Sequence, residues 1–228
     1  MPAKAKKETK VNLKDKISSY YIEYTLEHEA SPKSVFKFCK HLKISEKDFY
    51  ALFPNFDSVE KFIWKNFTDQ AIQNAENQEI YKNYSFNEKY LLFCFSQLEV
   101  WMDNRSFILF KLSKLSKSTV IPSYLNSAAE TVKEFGENLI NEGLSENLLS
   151  ERPLLTSKYP DVLWYQYLTM LQFWIRDESH EQTDTDAYVE KSVKLAFDVM
   201  APGAVDSTID FFRFMFRKKS NFFSSFSS

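Results

Sequence analysis

The stretch from Ser31 to Trp64, SPKSVFKFCKHLKISEKDFYALFPNFDSVEKFIW, leaves the chain the fewest choices. Its apolar residues recur at helical spacing in three short runs, each closed by a stop. Val35, Phe38, Cys39 and Leu42 make the first run. Ser31 is its expected N-cap, with Pro32 at the first helical position, where a missing N–H costs nothing. Lys43 marks a turn. Ser45 caps a second run that carries Phe49, Tyr50 and Phe53 on one side, and Pro54 stops it. Asp57 or Ser58 is the expected cap of a third run, with Val59, Phe62 and Ile63 turned inward. The pattern predicts a small N-terminal helical bundle.

Two short helices joined by a turn of about four residues have the shape of a helix-turn-helix. ISEKDFYALF resembles the DNA-binding segment of the TetR family of bacterial regulators, which reads roughly V-S-x-x-x-[LF]-Y-x-x-F. Ile44, Ser45, Phe49, Tyr50 and Phe53 fit that pattern, and Phe38 and Cys39 fall where the family has Ile-Ala. The resemblance implies a DNA-binding head over residues 11–66, with contacts from Lys33, Lys37, Lys43, Ser45, Lys47 and Tyr50 to double-stranded operator DNA. Four positions depart from it. Lys43 stands in the turn where the family has Gly, and Asp48 where it has Thr or Ser for a phosphate. Phe56 replaces a Lys that touches the DNA backbone, and Glu46 adds a further negative charge.

Gly is scarce, at 3 of 228 residues, and no stretch alternates with period two, so the fold class is all-α. With 44% hydrophobic and 17% aromatic residues, a sizeable core is available. The net charge of −2 gives no bulk preference for nucleic acid, although a near-neutral chain can still carry a local basic face. Cys39 and Cys94 lie inside apolar helical patterns and read as buried thiols. Three scattered histidines supply no metal site. No phosphate-cradling glycine loop, G-x-S-x-G elbow, CxxC or HExxH is present, so neither catalytic residues nor a cofactor are expected. The charged N-terminus lacks a signal-peptide core and no run of about 18 apolar residues occurs, which points to the cytoplasm.

Residues 1–10 are expected to form a disordered basic arm, and a first helix to run from about Leu13 to His28. Residues 67–203 read as a larger helical body. Ser85 with Glu88 makes a capping box before a helix that is apolar around most of its circumference. Further helices are expected over 105–117, from Pro122 to Gly143, over 160–178, and from a cap at Asp184 or Thr185 to Met200. The resemblance implies that the helices at 160–178 and 185–200 pair with a second copy as a homodimer. Phe93, Trp101, Phe107, Phe110, Tyr124, Phe135 and Tyr167 fit a pocket for a hydrophobic small molecule or lipid, and equally a solid aromatic core. Residues 204–228 hold a Phe-rich basic segment that suits docking on the body or, through 207–226, a membrane surface. Two functions fit these readings. One is an effector-responsive regulator of the TetR type. The other keeps the fold without DNA, in outline like the TetR-fold lipid-binding protein of ubiquinone biosynthesis.

Overall fold

Helices and 3-10 turns, with no strand, account for the ordered elements among the described residues, which are 2–113, 121–153 and 155–203 of a computed structural model. The head contains α1 (Pro2–His28), α2 (Val35–Leu42), α3 (Glu46–Tyr50) and the start of α4 (Phe56–Glu76). The body adds α5 (Phe86–Asp103), α6 (Arg105–Ser113), α7 (Asn126–Ser145), α8 (Tyr159–Trp174) and α9 (Thr183–Met200). The all-α class and the division into helix-turn-helix head and helical body follow the sequence reading. α4 is continuous across the junction, so head and body share one rigid rod.

The head closes on an aromatic centre. Ile17 and Tyr21 of α1 are buried with Phe38, Cys39 and Leu42 of α2, Phe49 of α3 and Ile63 of α4. Phe38, Phe49 and Phe56 meet pairwise, with ring centroids 5.1–6.1 Å apart. Phe56 therefore plugs the head core, which gives a structural role to the position where a DNA-contacting Lys was expected. His28 ends α1 as anticipated, stacked on Tyr24 with ring centroids 4.0 Å apart.

In the body, α5 lies among α4, α7 and α9, which explains why it is apolar on several sides. α7 and α8 cross closely at Gly136, where a Cβ would stand 2.7 Å from Leu163 Cδ1. Arg152 fastens the far end of α9, because its guanidinium donates to the carbonyls of Val199 and Ala201, each at 2.8 Å. That places a cation on helix-terminal carbonyls that have no partner within the helix.

Several expected boundaries move. Ser34, not Ser31, caps α2 and accepts from the Lys37 N–H, while the Ser31 hydroxyl is hydrogen-bonded to the Tyr21 hydroxyl. Asn55, not Asp57 or Ser58, caps α4, with Ser58 completing a reciprocal capping box. The N-terminal segment expected to be disordered is helical from Pro2, consistent with the helix-forming Ala, Lys and Glu that continue α1 backwards. A 3-10 turn at Ser123–Leu125 precedes α7, which runs past Gly143 to Ser145. α8 stops at Trp174 instead of Glu178. α9 starts at Thr183 behind a left-handed Gln182, so neither Asp184 nor Thr185 is its cap. The Asp177 carboxylate instead accepts from the N–H groups of Ser179 and Thr185, at 2.8 and 2.9 Å. Segment 114–117 of the expected sixth helix and the whole Phe-rich segment 207–226 lie outside the described residues.

Candidate nucleic-acid interface and ligand-binding body

The head's two short helices are set by the turn between them. α2 ends where Lys43 adopts the left-handed conformation (φ 55°, ψ 43°), and Ile44 N–H donates back to the Cys39 carbonyl at 3.1 Å. Glycine takes that conformation without cost, whereas lysine strains there. Ser45 then caps α3, accepting from the Asp48 N–H at 3.1 Å. Its hydroxyl donates in turn to the Asp48 carboxylate at 2.6 Å. Phe49 anchors α3 in the core, and Tyr50 beside it is 54% exposed.

The structure places all six sequence-predicted contact residues, Lys33, Lys37, Lys43, Ser45, Lys47 and Tyr50, at the head's surface. Lys40 joins Lys37 on the α2 face opposite buried Phe38 and Leu42. Glu46 and Asp48 are exposed as well, in the first turn of α3, where carboxylates complement the free N–H groups. The surface is thus mixed: lysines on α2, in the turn and at Lys47, with two acids at the start of α3.

The seven aromatic residues predicted for the pocket separate into two groups. Phe93, Phe135, Trp101 and Tyr167 form one. Phe93 packs on Phe135 with centroids 5.1 Å apart, and Tyr167 packs on Phe93 and Trp101. Phe107 and Tyr124 lie nearer the head: Phe107 meets Tyr21 and Phe67, and Tyr124 stacks on Trp64 at 5.5 Å. Phe110 is half-buried on α6. Burial pushes the Tyr21, Tyr124 and Tyr167 hydroxyls far above their ordinary range, so all three stay neutral donors.

Polar groups that the sequence reading did not select lie between these rings. Glu60 of α4 is buried and ion-paired to Lys111 of α6 at 2.5 Å, and its other oxygen accepts from Tyr21 of α1 at 3.3 Å. One carboxylate thereby ties together two head helices and the first helix the body adds beyond α5. Trp64 Nε1, Gln97 Oε1, Trp101 Nε1, Arg105 Nη1 and the Tyr124 hydroxyl are sealed from solvent without a hydrogen bond. The Trp101 and Tyr167 rings meet edge to face with centroids 5.2 Å apart, and the Trp101 indole N–H makes no hydrogen bond. The available signal was a polar residue at helical spacing inside an apolar stripe, as with Glu60 beside Val59 and Ile63. Between α1 and α4 a half-open cleft of about 600 Å³ is lined by Ser18, Phe62, Asn66, Gln70 and Asn104, among others.

On the outside of the body, Tyr165 of α8 and Leu195 of α9 are 61% and 63% exposed. Phe173 and Val199 add to the same pair of helices, and Phe173 is stacked on Tyr188 at 4.5 Å. No helix among the described residues is long and apolar enough to cross a membrane.

The family model described as "Tetracyclin repressor-like, C-terminal domain" matches residues 89–215. One solved structure with this fold is described as a tetR family transcription regulator from Shewanella sp. PV-4. It is 18% identical, with 83% of this chain and 98% of that chain covered and a TM-score of 0.55. Another is the TetR transcriptional regulator from Nitrosomonas europaea ATCC 19718, 16% identical, with 81% and 98% covered and a TM-score of 0.56. At such identities these two speak for the fold alone. No curated protein sequence matches the chain. The family model spans more than half of the 228 residues, and the chain belongs to the TetR family of transcriptional regulators.

Proposed function

We propose that the chain acts as a two-fold homodimer that binds operator DNA through its heads and responds to a hydrophobic effector held in the body. The observation that carries this reading is the head. A buried Phe49 holds α3 in a helix-turn-helix, while Lys33, Lys37, Lys43, Lys47 and Tyr50 remain free to meet phosphates and base edges. Dimerisation is supported by the apolar surface that Tyr165, Phe173, Leu195 and Val199 expose on α8 and α9. A second copy covering that face by symmetry would present two heads to one duplex. Effector response is supported by the line of buried aromatics and unpartnered polar atoms next to α4, the helix shared by head and body. A ligand that favours one arrangement of α4 shifts DNA affinity by its differential binding.

A second reading is favoured by one detail. Asp48 already satisfies the Ser45 hydroxyl, and with Glu46 it places negative charge at the start of α3. A head of that kind repels phosphate, and the fold would then serve as a binding protein for a lipid or hydrophobic ligand without DNA. Selection of bound sequences from a random duplex pool, in parallel with mass spectrometry of co-purified small molecules, separates the two. Enrichment of a palindrome supports the regulator. No enrichment, with a lipid retained, supports the second reading and refutes the first.

A further inference from the structure

The sealed polar atoms differ in what they would accept, and the difference identifies a ligand. The Glu60 carboxylate has its counter-charge in Lys111. Arg105 has none: no ion pair among the described residues involves it. Its guanidinium lies over the Trp174 ring at 4.7 Å, and its Nη1 is shut off from solvent without a hydrogen bond. Trp101 packs on the same Trp174 ring, at 5.6 Å, and its indole N–H is also unpartnered. Two donors, one of them cationic, are therefore brought to one aromatic ring. A planar guanidinium stacked on an aromatic face is already oriented for a carboxylate.

The surroundings match the rest of such a molecule. Trp101 leads inward to Tyr167 and Phe93, a closed apolar ring cluster with the Thr68–Tyr167 hydroxyl pair at 3.4 Å as its polar feature. Gln97, fully buried, spends its amide N–H on the Phe67 carbonyl and leaves its oxygen unused. We propose that the effector is an organic acid with an apolar body, its carboxylate held between Arg105 and the Trp101 indole N–H and its hydrocarbon or ring laid against Tyr167 and Phe93. The inference rests on the effector-binding reading given above. Entry requires Trp101 to part from Trp174. That motion is favoured because a buried donor without a partner gains one when the acid arrives. A neutral ligand of the same shape would leave the guanidinium unpaired.

Calorimetric titration of the full chain with matched pairs of probes tests this: decanoate against decanamide, and phenylacetate against phenylacetamide. The expected result is that at least one acid binds about tenfold or more tightly than its amide, the worth of one charge-assisted hydrogen bond. Arg105→Gln should reduce the acid-over-amide ratio to about one, with helicity by circular dichroism intact. Arg105→Lys, which keeps the charge without the fork, should retain part of it. If acid and amide bind equally, or if Arg105→Gln keeps the preference, the charge assignment fails while the effector reading stands. If neither acids nor amides bind, both fail.

Discussion

Replacing Lys111 by Met isolates the tie between α4 and α6. The Lys111 and Glu60 side chains are 13% and 8% exposed, so the pair is close to fully desolvated. Lys111→Met keeps most of the stem volume and leaves Glu60 charged, buried and held only by the long Tyr21 contact at 3.3 Å. Stranding one member of a buried pair costs about 3–5 kcal/mol. With a urea m-value of about 3 kcal/mol/M, the unfolding midpoint should fall by about 1 M or more. Exchanging both partners, Glu60→Met with Lys111→Met, should recover most of that loss, because an apolar pair of similar volume is about neutral relative to the ion pair. The cycle built from both single variants and the double variant should give a coupling of about 2 kcal/mol or more. If Lys111→Met changes stability by less than about 0.5 kcal/mol, or if the two single costs simply add, the pair does not hold head to body.

Leu195→Glu places a charge on the exposed apolar face of α8 and α9, and sedimentation equilibrium should show a shift from dimer to monomer with unchanged helicity; a dimer that persists would remove this face as the interface. Gly143→Ala would set a Cβ 2.9 Å from both Cγ and Cδ1 of Leu149 and 3.1 Å from Phe86, so denaturant melts should show a loss of about 1–3 kcal/mol despite the better helix propensity of Ala. Hydrogen bonds from Ser179 and Thr185 hold the Asp177 carboxyl down at about 2, below the ordinary carboxylate value near 3.9. A depressed folded-state value means stability that is fully present above about pH 4 and lost as pH falls towards 2. The Tm of Asp177→Asn should therefore vary less over that interval than that of the parent, and parallel Tm profiles would refute the assignment.

Much of the head could be read from the sequence because its determinants are local. Ser45, Phe49 and Phe53 fall at spacings that both cap and bury a short helix, and the structure keeps them in those roles. The capping box at Ser85 and Glu88 was equally legible, since both partners lie within four residues. Caps chosen among adjacent polar residues were less so. Ser31 and Ser34 both suit the start of α2, and a long-range bond from Tyr21 to Ser31 decides between them. Phe56 is silent locally, because its role is set by packing on Phe38 and Phe49 from other helices. The interior polar set was hidden for the same reason. Glu60 meets Lys111 across 51 positions of sequence, and nothing in either local pattern announces the other. Arg105 reads as a helix-start residue, and only its contact with Trp174 marks it as a donor turned inward.

Whether the head meets nucleic acid at all can be measured without knowing an operator. Fluorescence anisotropy of a labelled duplex of arbitrary sequence, titrated with the full chain at several salt concentrations, reads the electrostatic part of binding directly. The account predicts binding at low salt, with log K falling linearly with log salt, and its loss when Lys37, Lys43 and Lys47 are changed together to Glu in a chain that keeps its helicity and oligomeric state. No binding at the lowest salt, or equal binding by the triple variant, would contradict it.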